Sequence, residues 1–218
     1  MPQFAERISG AKRSFIREIL KVTADPQVIS FAGGLPNPAS FPVAEIAEAA
    51  AKVIGESGAS ALQYSTTEGY KPLRQWIAAR YKARKGMDVN PDDILITTGS
   101  QQALDLAAKI LVNAGDPVVI EKPGYLGAIQ AMTIFRPDWR SVPLEQDGPD
   151  LDALDRALAG AKLFYAVTSF QNPSGLSYSA AKRQAVADLL RKHGSFFLED
   201  DPYGELRFSG QDLPPVYA

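Results

Sequence analysis

PVVIEKPGYLGAIQAMTI, residues 117–134, contains a short apolar run, a Pro-Gly turn and then a helix-forming segment. A continuous apolar run bounded by turn residues is typical of a strand that is buried on both faces. The same pattern recurs on both sides of this stretch. We predict further strands at DILITTGS, RSVPLE, AKLFYAVTSF and SFFLEDD, alternating with helices at QQALDLAAKILVNAG, LDALDRALAG and SAAKRQAVADLLRKHG. This alternation predicts an α/β fold with a mostly parallel sheet covered on both faces.

The part of the chain before residue 94 predicts helices joined by irregular segments. The segment VISFAGGLPNPASFP, residues 28–42, has two glycines and three prolines, which favours a specifically shaped loop. A helix is predicted at VAEIAEAAAKVIGE, and another begins near Pro72. Helical spacing predicts that the second of these buries a stripe formed by Leu73, Trp76, Ile77 and Tyr81.

The composition is that of a soluble globular protein, with 218 residues, 45% hydrophobic and 22% charged. A net charge of −2 does not favour a nucleic-acid or anionic-membrane partner. The absence of cysteine excludes disulfides, a thiolate nucleophile and a cysteine-based zinc site. No apolar run approaches the roughly 20 residues of a membrane helix, and the start lacks the apolar region of a secretory signal. We therefore expect a cytoplasmic protein.

Polar side chains follow four of the predicted strands. In open α/β sheets, ligands bind outside the carboxyl ends of the strands, so these residues are the candidates for function. They include no histidine and no metal-binding cluster, so we predict no metal site. The candidates are Gly99-Ser100-Gln101, Pro123-Gly124-Tyr125, Gln171-Asn172-Pro173, and Asp200 with Tyr203.

The first three candidates each have an ordinary explanation as well as a functional one. Ser100 follows a glycine where a strand turns into a helix, which suits either a phosphate site or a plain N-cap. The pattern is not a Walker A loop. Tyr125 could stack on a planar ligand ring or simply line the core. Pro173 holds Asn172 extended and so directs its amide, but the segment could equally be an ordinary loop.

The acids at the end of the last strand point more specifically to a ligand. A buried aspartate stays ionised only beside a cationic or hydrogen-bonding partner, and a protonated pyridine nitrogen would serve Asp200. Tyr203 could then reach an oxygen on the same ring. The alternative, an N-cap acid or a surface ion pair, suits Asp201 better than Asp200. Together the strand ends describe a phosphate, an aromatic ring, a ring oxygen and a ring nitrogen, which is the outline of pyridoxal 5′-phosphate.

Motifs along nearly the whole chain resemble the fold-type I, class I and II aminotransferases, and are most similar to the 2-aminoadipate, kynurenine and multi-substrate branch. They occur in order between residues 14 and 208, as SFIREIL, ISFAGGLPNPASFP, LQYSTTEGYKPLR, ILITTGSQQALDL, FQNPSG and EDDPYGELRF. The resemblance implies a three-layer α/β/α large domain, truncated before its last strands and the C-terminal small domain. Residues 1–44 would form an N-terminal arm with a substrate-covering helix and loop, and residues 45–218 a partial cofactor-binding domain.

The resemblance implies a role for each candidate towards pyridoxal 5′-phosphate. Ser100 and Gln101 would hold the phosphate, and Tyr125 would stack on the ring. Asp200 would bind the ring nitrogen. The ring oxygen O3′ would be bound by the pair Asn172 and Tyr203.

Three further residues are implied on the substrate side and at a subunit interface. Gly34 would lie near the substrate carboxylate, and Arg17, on the N-terminal helix, would meet an acidic substrate side chain. Tyr64 would reach into the cofactor site of a partner subunit, which implies a homodimer. Two positions depart from the family pattern: Ser174 replaces threonine, and Thr168 stands where relatives often have proline.

The implied activity is transfer of an amino group from an amino acid to a 2-oxo acid. In the family the Schiff-base lysine follows the EDDPY stretch, and here it is expected beyond Ala218, because none of the eleven lysines follows Lys192 or stands in a matching motif. We interpret the chain as the N-terminal half of an aminotransferase that contains no catalytic residue of its own. We expect it to be inactive, poorly soluble because of an exposed sheet edge, and without ketimine or aldimine absorbance.

Other functions remain compatible with the same motifs. One is a cofactor-binding, aminotransferase-like domain without catalysis, either a truncated remnant or part of a transcriptional regulator. Another is a related pyridoxal-phosphate lyase or decarboxylase.

Overall fold

The computed structural model describes residues 4–8, 27–29, 31 and 34–216. The chain divides into two compact units, one within residues 12–66 and one formed by residues 1–11 and 67–218. The domain boundary expected at residue 44 stays a prediction. In these described ranges, no helix is long and apolar enough to cross a membrane.

The smaller unit is dominated by one helix, α1, at Val43–Ala61. A 3₁₀ turn at Pro38–Ser40 precedes it and is capped by Asn37, whose side chain accepts a hydrogen bond from the Ala39 N–H at 3.1 Å. The helix bends at Ser57, where φ and ψ are −141° and 21°. None of its residues is buried, and its exposed side chains include the apolar ones of Val43, Ile46, Val53 and Ile54.

The larger unit alternates helices and strands as the sequence predicts, from residue 100 onward. Glycines in the left-handed conformation, Gly86 and Gly194, end the helices at Lys71–Lys85 and Ala180–His193. The elements in chain order are α2 (Lys71–Lys85), α3 (Ser100–Leu111), β1 (Pro117–Lys122), α4 (Leu126–Thr133), β2 (Asp138–Glu145), β3 (Gly148–Pro149), α5 (Leu151–Leu158), β4 (Leu163–Ala166), α6 (Ala180–His193) and β5 (Phe196–Glu199). Short 3₁₀ turns lie at Glu6–Ile8, Pro91–Asp93 and Gly204–Leu206.

The five strands form one sheet in the order β3-β2-β1-β4-β5. Strands β2, β1, β4 and β5 pair in parallel, and the two-residue β3 pairs antiparallel with β2. The predicted mostly parallel sheet is therefore confirmed. Because the four long strands run in one direction, their carboxyl ends lie along one edge.

Side chains of the central strands alternate between two apolar layers. Val118 and Ile120 of β1 pack with α3 and α4 on one face of the sheet. Val119, between them, packs on the other face with α5 and α6. Each layer is buried by helices, so both faces of the sheet are covered, as the continuous apolar runs predict.

One predicted strand does not form. Residues 94–97 belong to no strand, although the Ile96 N–H donates a hydrogen bond to the Glu68 carbonyl at 3.0 Å. A strand forms only where a neighbouring strand pairs with it through backbone hydrogen bonds. Among the described residues, no strand pairs with this segment. The sheet ends instead at β5, whose Phe196 side chain is 53% exposed. The exposed sheet edge expected from the sequence is thus present at β5.

The predicted buried stripe of α2 is wrong. Leu73, Trp76 and Tyr81 are exposed, and the buried residues of this helix are Arg74 and Ala78. Trp76, Ile77 and Tyr81 face a cavity of ≈ 1150 Å³ instead of a packed core. The cavity is bounded by α2, α6 and β5, and its lining includes Trp76, Ile77, Tyr81, Leu190 and Phe197.

We expect Leu154→Ala to lower the free energy of unfolding by about 2–5 kcal/mol, since Leu154 is 0% exposed and its removal leaves a cavity among packed side chains. Urea unfolding followed by circular dichroism measures the difference. The matched control is Ile110→Ala on α3, where the side chain is 78% exposed and the loss should stay below about 0.5 kcal/mol. Equal losses for the two variants would contradict the core described above.

Candidate functional site

The loops that follow β1, β4 and β5 bring four of the predicted residues to one edge of the sheet. Asn172, after β4, donates a hydrogen bond from Nδ2 to the hydroxyl of Tyr203, after β5, at 3.3 Å. Burial, followed by the charges of the nearby Asp200 and Tyr203, raises the pKa of the phenol of Tyr125, which follows β1. An amide, two phenols and a carboxylate therefore converge where the strands end.

Asp200 is held by the sheet itself. Its N–H donates to the Ala166 carbonyl at 2.9 Å, continuing the direction of the β4–β5 pairing. Tyr165 of β4 donates its hydroxyl to Asp200 Oδ2 at 2.8 Å. Burial raises the pKa of Asp200, although the Tyr165 hydrogen bond acts in the opposite direction. No salt bridge reaches this carboxylate within the described part of the chain.

The neighbouring acid Glu199 points to the other face of the sheet, because successive strand residues alternate. It forms an ion pair with the buried Arg183 of α6, with Nη1 and Oε1 3.3 Å apart. The Thr168 hydroxyl and the Val216 N–H also donate to it, at 2.5 and 2.9 Å. Burial raises the pKa of Glu199 in spite of these contacts. Thr168, to which the sequence assigned no function, is thus a buried partner of Glu199.

The alternation of side chains along the strand also gives the three consecutive acids, Glu199, Asp200 and Asp201, different surroundings. Glu199 is satisfied within the fold, while Asp201 is exposed. Asp200 remains the partly buried acid that faces the strand-end loops. These surroundings make Asp200 the acid best suited to a cationic ligand.

The start of α3 forms a second part of this edge. Gly99 is the N-cap with φ 76° and ψ 165°, and it provides no side chain to cap the first turn. Gln102 turns back and accepts a hydrogen bond from the Thr98 N–H at 2.6 Å. Ser100 and Gln101 are exposed at the helix start, and Gln101 donates from Nε2 to the Gly127 carbonyl at 3.3 Å. An uncapped helix N-terminus of this kind can bind an anion.

Tyr125 lies directly against the first turn of α4. It is the N-cap of this helix, and a Cβ atom placed on Gly127 would lie 2.5 Å from Tyr125 Cζ. Glycine at position 127 is therefore required for the tyrosine ring to occupy this position. The sequence drew attention to Tyr125 but not to Gly127.

The other predicted residues belong to the smaller unit or fall outside the described residues. Gly34 has φ 58° and, like Tyr64, belongs to the smaller unit. Tyr64 is 99% exposed. Arg17 lies outside the described residues. Ala218, beyond which the Schiff-base lysine is expected, also lies outside them, so the position of that lysine stays a prediction.

Tyr165 was missed by the sequence analysis. It is fully buried in a run of apolar residues, where the pattern predicts only a core position. A buried tyrosine hydroxyl requires a hydrogen-bond partner, and this requirement was the available signal. Identifying Asp200 as that partner needs the β4–β5 register, in which Tyr165 pairs with Leu198. Burial and, after it, the negative charge of Asp200 raise the pKa of Tyr165, so its hydroxyl stays a donor.

The family described as aminotransferase class I and II matches residues 26–218. The chain is 44% identical over 216 residues to 2-aminoadipate transaminase of Thermus thermophilus, covering 98% of this chain and 53% of that protein. It is 40% identical to aromatic-amino-acid aminotransferase 1 of Thermococcus litoralis, covering 99% of this chain and 53% of that one. The chain thus spans about half the length of the curated relatives it matches.

A solved structure gives the same result for the fold. The crystal structure of Pyrococcus horikoshii kynurenine aminotransferase, in complex with PMP, superposes with a TM-score of 0.90 at 37% identity. The match covers 98% of this chain and 54% of that one. The implied fold-type I architecture is confirmed by this likeness.

We expect Asp200→Asn to raise the free energy of unfolding by about 0.5–1 kcal/mol at pH 7. Because folding raises the pKa of Asp200, its ionised form opposes folding, and this cost grows as the pH rises through the raised pKa. The advantage of the variant should therefore shrink as the pH falls towards 3.8, the ordinary value. Urea unfolding at several pH values measures it.

Asp188→Asn on α6 is the control with the same change of charge. A hydrogen bond from Arg191 lowers the pKa of Asp188, so its ionised form favours folding and its loss should not stabilise the protein. A stabilisation by Asp200→Asn that is the same at pH 4 and pH 7 would contradict the explanation by charge burial.

Proposed function

Because this chain belongs to the class I and II aminotransferase family, we propose that it forms the cofactor-binding part of a pyridoxal 5′-phosphate-dependent transaminase. The proposed reaction moves an amino group from an amino acid to a 2-oxo acid. The observation that carries the proposal is the convergence of Asp200, Tyr125 and the Asn172–Tyr203 pair at the carboxyl edge of the sheet.

The residues present fit the cofactor. Asp200 is a partly buried carboxylate whose Oδ2 is bound by Tyr165, and no cation among the described residues pairs with it. A pyridinium N–H would supply the missing positive partner. The uncapped start of α3, with Ser100 and Gln101, suits the phosphate group.

The remaining groups suit the ring. The Asn172 amide and the Tyr203 hydroxyl lie 3.3 Å apart, so one oxygen of a ligand can be bound by both. The Tyr125 ring would cover one face of a planar ligand and exclude water from it. Homologues support the same ligand, since the kynurenine aminotransferase structure contains PMP.

When bound, the cofactor supplies an electron-poor ring that takes up charge released at the α-carbon of an amino acid. Asp200 would keep the ring nitrogen protonated, because a carboxylate beside it stabilises the positive charge. Tyr165 would hold one carboxylate oxygen of Asp200 and so fix its orientation. Asn172 and Tyr203 would bind the ring oxygen.

No lysine of this chain is assigned to the covalent link with the cofactor that this family uses. We propose that this lysine lies beyond Ala218. We propose that these 218 residues bind the cofactor without a covalent link and transfer no amino group on their own. The activity of the longer relatives would depend on the half that this chain does not match. The relatives named for 2-aminoadipate, aromatic amino acids and kynurenine support a 2-oxo acid and an amino acid as substrates.

Two further assignments complete the proposal. Tyr64, 99% exposed, would reach the cofactor site of a second subunit in a homodimer. Gly34 and Arg17 would lie on the substrate side.

We expect the chain to bind PMP, and Asp200→Asn to weaken that binding about 10- to 100-fold, since a hydrogen bond to a charged group is lost. Titration of PMP fluorescence measures the dissociation constant at micromolar protein, and PMP needs no lysine. Asp188→Asn removes a charge on the outer side of α6 and should bind as the wild type does. Failure of the wild-type chain to bind PMP, or equal binding by Asp200→Asn, would refute the proposed site.

A further inference from the structure

Gln171, which precedes Asn172, has a side chain that is 1% exposed and fully hydrogen-bonded. Its Nε2 donates to Glu121 Oε2 at 3.1 Å and to the Pro123 carbonyl at 2.8 Å. Its Oε1 accepts from the N–H and the hydroxyl of Ser174, at 2.9 and 2.6 Å. All four hydrogen-bonding positions of the amide are used.

These contacts join two separate loops. Pro123 lies two residues before Tyr125, and Ser174 lies two residues after Asn172. The register of β1 with β4 ends at the pair Ile120–Tyr165. Among the described residues, no backbone hydrogen bond joins 123–125 to 170–176. The Gln171 side chain therefore makes the connection that the sheet no longer makes.

Glu121 holds Gln171 from the other side. It is 1% exposed, and it accepts hydrogen bonds from the Tyr178 hydroxyl at 2.6 Å and the Val167 N–H at 3.2 Å, as well as from Gln171. Burial raises the pKa of Glu121, and no ion pair compensates it within the described residues. A buried acid held only by donors costs stability, which is reasonable where it fixes a geometry.

We propose that Gln171 is a positioning residue, anchored by Glu121, that sets the distance between the Tyr125 loop and the Asn172 loop, and hence the slot for the cofactor ring. The inference rests on the proposed function, since it concerns the same ligand. The Gln171 amide is bound entirely by protein atoms, so none of its hydrogen-bonding positions is left for the ligand. It acts through the two loops, so it should affect ring binding and leave the start of α3 unchanged.

The test compares two probes on the 218-residue chain, PMP and inorganic phosphate. In Gln171→Met the side chain keeps its length but loses all four hydrogen bonds. We expect the dissociation constant for PMP to rise at least tenfold, because the Tyr125 and Asn172 loops lose their link. Phosphate binding at α3, followed by ³¹P NMR, should change less than twofold.

The control is Ser195→Ala, which removes a hydrogen bond from Ser195 Oγ to the Ala161 carbonyl, 2.9 Å, at the opposite end of β5. Its melting temperature is compared with that of Gln171→Met, and its PMP binding should equal that of the wild type. A milder variant, Ser174→Ala, removes one of the four bonds at an exposed residue. It should keep the fold and weaken PMP binding about 2- to 10-fold.

The outcomes separate the two proposals. Selective loss of PMP binding in both variants supports the positioning role. PMP binding within twofold of the wild type in Ser174→Ala and Gln171→Met, or equal loss of PMP and phosphate binding, overturns it. A wild-type chain that binds phosphate but not PMP overturns the proposed function itself, and this inference with it.

Discussion

The parallel pairing of β1, β4 and β5 is the constraint on which the candidate site depends. Parallel strands end at one edge, so the loops that carry Tyr125, Asn172 and Asp200 emerge beside each other although they are far apart in the sequence. The alternation of side chains along each strand then decides which residue faces which layer. Glu199 and Asp200 differ by one position and consequently have different partners, Arg183 and Tyr165.

Three buried or partly buried acids near this edge are stabilised in different ways. Glu199 forms an ion pair with Arg183, and Glu121 accepts hydrogen bonds from three neutral donors. Asp200 accepts a side-chain hydrogen bond from Tyr165 and forms no ion pair among the described residues. Burial raises the pKa of each of them. The contacts of Glu199 and Glu121 fix the arrangement of strands and loops. Asp200 has no cationic partner among the described residues, so a cationic ligand would balance its charge.

The sequence predicted the elements whose signal is local. Apolar runs located the strands β1 and β4, and turn residues located most helix ends. The segment 94–97 was predicted as a strand and is not one, because strand formation depends on a neighbour that periodicity cannot reveal. The stripe on α2 is apolar, but the prediction that it is buried was wrong. Burial depends on what packs against the helix, which the sequence of the helix does not reveal. Tyr165 was missed because its partner Asp200 is 35 residues away in the chain. Gln171 was among the candidates, but its contact with Glu121, 50 residues away, could not be predicted from the sequence.

A cationic ligand at Asp200, as proposed above, would also make the folding equilibrium depend on the concentration of that ligand. A ligand that binds only the folded form shifts the equilibrium by mass action, in proportion to the logarithm of its concentration. The fraction of chains that are unfolded, and thus exposed to proteases, would fall as that ligand becomes more abundant. The lifetime of the chain would then depend on the supply of its ligand, through the Asp200 carboxylate, which pairs with no cation among the described residues.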